Sequence, residues 1–584
     1  MKSFFKSFFA ALLAIVVFCL LIFGILLVAA SVSNSKPSVG SNAVLVVDLS
    51  TEFKEQAQQK SLGSLFGNAS NDVPGLYDMV RMIHFAKSDS SIKGIYIKAE
   101  DNSNGMASSE ELRTAIADFK RTGKFVIAYG AVIPQRAYNV ATIADKVYCN
   151  PAGGVEWDGF SYTGMFFKGL LDKLEIEPQV FYAGKFKSAT EPFRFTSMTD
   201  ANRLQSSVFM NDFYSHFLIQ VSAARNIDTG TLHKLANIGA VQTANDALQF
   251  GLVDGLKYDD DIKGEILKRL GKEKKGTINF INPGKYAQAV SFKKTSGDDK
   301  IAIIYAQGDI VDGKGNDDEV GSETFIKLLR DARLDDDVKA IVFRVNSPGG
   351  SALASEEIWR EVTLAKKAKP VVLSMGDYAA SGGYYISCNA DSVFADNGTI
   401  TGSIGVFSII PNLQNAFKDK LGITFDGVKT APYADAGSTT RPLSEQEKKF
   451  FQSSVDTIYN LFKTRVASGR KKSVDYIDSI AQGRVWTGDD GIEVGIVDRI
   501  GTLQDAVNCA ARMAKLSDYR TREYPEPATI FNKIMNSDVN ASVKEDAVKE
   551  QLGDNGYMFL IQLKKLESMI GVAQARLPCE IMVR

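Results

Sequence analysis

Histidine is scarce in this chain of 584 residues: His84, His216 and His233 are the only three. None stands near another, or near a cysteine at ligand spacing, so the sequence gives no zinc pattern. Cysteine is equally thin. Cys19 sits in an apolar run, and Cys149, Cys388, Cys509 and Cys579 are scattered, which supplies neither a disulfide framework nor a metal set. No cofactor is expected. The chain also lacks an excess of either charge, and a formal net charge of −1 carries no footprint for nucleic acid. What remains is an ordinary globular composition, 45 % hydrophobic and 23 % charged, over a length that suits about two to four domains.

One stretch departs from that composition. Residues 8–30 contain no charge and are dominated by Leu, Ile, Val, Phe and Ala. As a helix they would span roughly 35 Å, enough to cross a hydrocarbon core of about 30 Å. Lys2 and Lys6 precede the run, which keeps the N-terminus cytoplasmic and sends the remainder to the extracytoplasmic side. Ala29, Ala30 and Ser31 permit a competing reading as a cleaved signal peptide. The run is longer than a secretory core of about 7–15 residues, so an uncleaved anchor within residues 1–40 is expected, with the lipid bilayer as partner of residues 8–30.

The rest of the chain reads as one unit written twice. Residues 43–48 and 301–305 read as strands, and 76–87 and 324–332 as the helices after them. From Ile92 and Val338 the two copies run together at an offset of 246 positions. Ser109-Glu110-Glu111 meets Ser355-Glu356-Glu357, Gly130 meets Gly376, and Ala144-Asp145 meets Ala390-Asp391. Gly251-Leu252-Val253-Asp254 later matches Gly495-Ile496-Val497-Asp498, at an offset drifted to 244. Short apolar strands alternate with amphipathic helices, the pattern of an α/β fold around a largely parallel sheet. The copies are placed at 41–290 and 300–515, joined by a polar stretch. Residues 516–584 have no counterpart in the first copy, and within them 557–573 reads as a helix.

Differences between the copies carry the chemistry. Residues 371–375 read as a buried strand, followed by a tight turn at Ala379-Ala380-Ser381-Gly382-Gly383 and a helix from Gly383 to Ala390. Taken alone, such a run of small residues is more often a close-packed turn. A serine at that position, however, has its hydroxyl at a strand end with free N–H groups beside it, as acyl transfer requires. In the first copy Gln135 replaces Ser381, and Ser103 and Asn104 replace Gly349 and Gly350. Gly350 N–H is a candidate second oxyanion donor beside Gly382 N–H. The second copy thus holds both parts of a site and the first holds neither. The histidines all lie in the first copy, away from any serine turn, so the candidate base is a lysine kept neutral by its surroundings. Lys187, in Gly184-Lys185-Phe186-Lys187-Ser188-Ala189-Thr190-Glu191-Pro192-Phe193, has small and apolar neighbours. Its counterpart in the second copy, allowing a drift of one residue, is Ala434.

These strings, with Arg344-Val345-Asn346-Ser347-Pro348-Gly349-Gly350 and Thr401-Gly402-Ser403-Ile404-Gly405, resemble the long, duplicated form of the signal peptide peptidase (protease IV) family of membrane-anchored bacterial serine proteases. The resemblance covers the chain from the anchor to about residue 515. It implies Ser381 as nucleophile, Lys187 as general base and acid, and Ser403 as a residue orienting the lysine ammonium. Short members of that family carry the lysine at the position of Ala434. The fold implied is a tandem duplication of a ClpP/crotonase-like ββα spiral unit after one N-terminal transmembrane helix. A homotetramer in the bacterial inner membrane is implied as well, with remnant signal peptides as substrates. Two other readings stay open here: a crotonase-like acyl-CoA enzyme, and a non-catalytic membrane-tethered oligomeric scaffold.

Overall fold

The computed structural model describes residues 37–57, 72–273, 276–293, 297–526 and 569–577, with isolated positions in 8–20 and 553–560. The expected anchor therefore lies largely outside the described residues. Among the described residues no helix is long and apolar enough to cross a membrane.

The first copy is built on β1 (Ala43–Asp48), β2 (Ile92–Lys98), β3 (Phe125–Ile133) and β4 (Lys146–Val155). A fifth strand, β5 (Glu177–Ala183), leaves this sheet, and β6 (Gly255–Leu256) and β7 (Asn279–Ile281) complete it. The order is β6-β4-β3-β2-β1-β7, with every pairing parallel. Strands of a parallel sheet are covered on both faces, which is why β1 is an unbroken apolar run, Ala-Val-Leu-Val-Val, rather than an alternating one. Helices Leu76–Ser88 and Met106–Lys120 cover one face and enclose a core that includes Leu45, Met79, Ile95 and Leu112.

The second copy repeats the plan. It comprises β8 (Lys300–Gln307), β9 (Asp309–Val311), β10 (Glu319–Gly321), β11 (Val338–Ser347), β12 (Gly349–Ser351), β13 (Val371–Ala380), β14 (Ser392–Ala395), β15 (Ile400–Gly402), β16 (Val406–Asn412), β17 (Val485–Thr487), β18 (Arg499–Ile500) and β19 (Arg520–Tyr524). Its main sheet runs β17-β15-β13-β11-β8-β19, with β14 pairing β13 and β18. The duplication extends to fine detail. The 26-residue helices Asp200–Arg225 and Glu445–Arg470 occupy equivalent places, and both end on a left-handed residue, Asn226 and Lys471.

Two structures tie the copies together. A third sheet, β10-β9-β12-β20-β16-β5, includes β20 (Gln574–Arg576) and takes β5 from the first copy. There β5 pairs antiparallel with β16 over seven residue pairs, from Ala183↔Val406 to Glu177↔Asn412. Beside it, Arg344 of the second copy reaches two carboxylates of the first. Its Nε donates to Glu55 at 2.9 Å, and a terminal nitrogen lies 2.8 Å from Glu111. All three side chains are buried.

Two local expectations are corrected. The strand expected over 371–375 continues to Ala380, because its last residues pair with β15 from Tyr378↔Ile400 to Ala380↔Gly402, while β11, after a shift of register, still pairs Ser347 with Ala379. The helix after it runs from Gly382 to Ser387, shorter than expected. Most of the helix expected over 557–573 lies outside the described residues. Past it the tail forms β20, a strand without a periodic signal of its own.

Candidate active site

Ser381 directly follows β13 with φ +55° and ψ −112°, a backbone conformation that costs free energy in any residue with a Cβ. It is held there from both sides: its N–H donates to Gly402 O at 2.7 Å, and its carbonyl accepts from Tyr385 N at 2.8 Å. The side chain is fully buried. Lys187 arrives from the first copy, four residues beyond the end of β5. Its Nζ lies 2.8 Å from Ser381 Oγ, 3.1 Å from Ser403 O and 3.1 Å from Ser403 Oγ. Serine and lysine thus meet within one chain, across the seam between the copies.

Lys187 is 2 % exposed, and burial alone holds its ammonium well below the ordinary value of 10.5. Among the described residues no carboxylate pairs with it to restore the charge. The three contacts suit a neutral amine. Its two N–H bonds donate to the two Ser403 oxygens, which leaves the lone pair facing the Ser381 hydroxyl. Space for the lysine comes from glycine. A Cβ on Gly483, which has φ +75°, would come within 2.7 Å of Lys187 Cα and Cβ, and one on Gly405 within 3.1 Å of Lys187 Cδ.

The expected oxyanion donors converge. A Cβ placed on Gly382 would lie 3.1 Å from Gly350 N, and one on Gly349 would lie 2.7 Å from Gly382 N, so the two N–H groups border one small space. That space also holds the Ala575 carbonyl oxygen of β20, 2.9 Å from the Gly382 Cβ position. The arrangement offers a nucleophile, a neutral amine that can take its proton, and paired donors for a tetrahedral oxyanion.

The first copy shows the same places put to structural use. Gln135 Nε2 donates to Gly159 O at 2.8 Å, while its Oε1 accepts from Asp158 N and Gly159 N. Asn104 Oδ1 accepts from Phe53 N at 2.9 Å and its amide donates to Thr51 O. Ala434 lies in an exposed turn. One contributor had no sequence signal. Gln205 donates to Phe186 O and Ser188 Oγ on either side of Lys187 and accepts from Val485 N of the second copy. Its partners lie up to 280 positions away from it, which no local spacing reveals.

A buried serine, a buried amine and converging amides are an arrangement suited to acyl transfer. The sequence pattern described as Peptidase family S49 matches this chain twice, over residues 118–274 and 363–517. The chain is 37 % identical over 522 residues to Protease 4 of Salmonella typhi, covering 86 % of this chain and 83 % of that one. It is 34 % identical to Protease 4 of Haemophilus influenzae, covering 84 % and 82 %. To the chloroplastic serine protease SPPA of Arabidopsis thaliana it is 32 % identical, covering 82 % and 70 %. The chain belongs to peptidase family S49, in its long, duplicated form, and is a serine peptidase.

Proposed function

We propose that the protein is a membrane-anchored endopeptidase in which Ser381 and Lys187 form the catalytic pair, acting on signal peptides left in the membrane after preproteins are cut. The single observation behind the catalytic part is the 2.8 Å approach of Lys187 Nζ to Ser381 Oγ in a buried site where no carboxylate among the described residues pairs with the amine. Neutral Lys187 accepts the Ser381 proton as Oγ attacks a peptide carbonyl, and the Gly350 and Gly382 N–H groups hold the developing oxyanion. Lys187 returns the proton to the leaving amine, and water then repeats the cycle on the acyl-enzyme. Ser403 fixes the amine by accepting its two N–H bonds.

In this reading residues 41–290 supply the base and 300–515 the nucleophile. Residues 8–30 supply the anchor, and the catalytic copies lie on the extracytoplasmic side, assembled as a homotetramer. The resemblance to the signal peptide peptidase family and the 8–30 run support the substrate class and the placement. Membership in a serine-peptidase family leaves the acyl-CoA and scaffold readings without support.

The test uses the full chain in detergent with a synthetic signal peptide, and follows cleavage in the parent, Ser381→Ala and Lys187→Ala. Each variant is expected to lose about 10⁴-fold or more in kcat/KM while keeping the parent's fold and assembly. Undiminished cleavage by Lys187→Ala would remove the lysine from the mechanism. Cleavage of a soluble peptide with no turnover of the signal peptide would remove the substrate class.

A further inference from the structure

β12 carries the Gly350 donor, and an extended peptide lying along it is placed residue by residue from that amide. β20 marks such a path, antiparallel to β12 with Gly349↔Arg576, Gly350↔Ala575 and Ser351↔Gln574 in register. Ala352 N donates to Ala573 O at 3.0 Å and Leu577 N donates to Pro348 O at 2.9 Å. Bonded pairs recur every second residue in an antiparallel ladder, so Gly350 N–H meets the carbonyl of the residue opposite it. A peptide whose scissile carbonyl meets Gly350 therefore sets its next residue opposite Gly349 and the following one opposite Pro348. These are the two places held by Arg576 and Leu577.

The first of them is acidic. Asp309 lies on β9, the strand beside β12, and one guanidinium nitrogen of Arg576 donates to both of its carboxylate oxygens at 2.6 Å. The Arg576 side chain is only 7 % exposed there, so its charge has left water and depends on that partner. A cavity of about 360 Å³ opens alongside, lined by Glu52, Asp309 and Asp377 against a single cation, Arg136. Arg136 is engaged with Asn104 O, and Asp377 accepts from Ser108 N and Oγ. The balance of charge at this place is negative. The second place is apolar: Leu577 packs with Phe209, Phe213, Ile400 and Val485, and the cavity continues past Phe213 and Ile400.

We infer that Asp309 makes this peptidase select a basic residue immediately after the bond it cuts, with a large apolar residue next. The inference rests on the catalytic reading above. Asp309 takes no part in the proton transfers and acts by holding the substrate. An acidic residue in the first place would meet like charge, and a small neutral one would leave Asp309 without its counter-charge at the edge of a buried site. Before the bond, the position opposite Gly350 is fully buried around Ala575, which suits a small side chain. The apolar core of a signal peptide offers no basic residue. The preference therefore adds a second class of substrate, extended polypeptide segments in which a small residue is followed by a basic and then an apolar one.

Internally quenched peptides test this with the full chain in detergent. They share one sequence, with Ala before the cut and Leu second after it, and carry Arg, Ala or Glu first after it; product masses locate the cut. The tail on β12 competes with all three alike, so the ratio of their kcat/KM values reads the subsite alone. In the parent the Arg peptide is expected to exceed the Ala peptide by about 10–100-fold, with the Glu peptide slowest. Asp309→Asn is expected to bring the Arg and Ala peptides close to parity, and Asp309→Arg to make the Glu peptide the best of the three. Equal values for the three peptides in the parent, or an undiminished Arg preference in Asp309→Asn, would overturn the assignment while leaving the catalytic reading in place. So would a parent that reacts with a fluorophosphonate at Ser381 yet leaves the Arg peptide whole. A parent that neither reacts nor cleaves would overturn the catalytic reading, and this inference with it.

Discussion

Lys187 is the residue on which the chemistry and the stability of this site pull in opposite directions. Its folded-state pKa is depressed below the unfolded value, so between the two the unfolded chain binds a proton that the folded chain does not. Across that window the parent gains stability as pH rises. Lys187→Met keeps the apolar stem and removes the amine, and is expected to unfold at a higher temperature than the parent at pH 7. The difference should shrink as pH approaches 10.5, which a pH series of thermal melts would check. Lys187→Arg is expected to be as inactive as Lys187→Ala, because a guanidinium stays protonated at any working pH. Gly382→Ala tests the oxyanion donors. Its Cβ would crowd Ser355 Oγ at 2.7 Å as well as Gly350 N, displacing an N–H that must point at the oxyanion. A loss of about 10²–10³-fold in kcat with little change in KM is expected.

At the scale of elements, what could be read from the sequence was what recurs at fixed spacing. The strands at 43–48 and 92–98, the helix after the first, and their counterparts in the second copy were legible from apolar runs and from the offset between copies. Ser381, Gly349 and Gly350 were legible because one copy keeps them and the other has Gln135, Ser103 and Asn104. The end of β13 was not, since Gly376 and the small residues after it look like a turn until β15 pairs with them. β20 was invisible for a related reason: three residues, one of them charged, become a strand only because β12 and β16 offer open edges. The antiparallel pairing of β5 with β16 likewise depends on partners more than two hundred positions apart, and it is this pairing that carries Lys187 to Ser381.

At the scale of the whole molecule, duplication followed by divergence has divided one site between two copies, so the seam between them must be rigid. Arg344 is central to that rigidity, sitting between Glu55 and Glu111, with Nη1 donating to Ser374 Oγ and Met375 O at 2.9 and 2.8 Å. Burial pushes the Glu111 carboxyl up, and the Arg344 charge opposes that push. Arg344→Met would leave two buried carboxylates facing each other, and is expected to cost about 3–5 kcal/mol in chemical denaturation. Activity should fall with it even below the unfolding transition, because the seam sets the distance between serine and base. The measurement that bears most directly on the account is the rate at which a fluorophosphonate inactivates Ser381 as a function of pH. A neutral Lys187 predicts a rate that rises with pH to a plateau, with an apparent pKa well below 10.5, and that collapses in Lys187→Met at every pH. A rate that is independent of pH, or that survives in Lys187→Met, would contradict it.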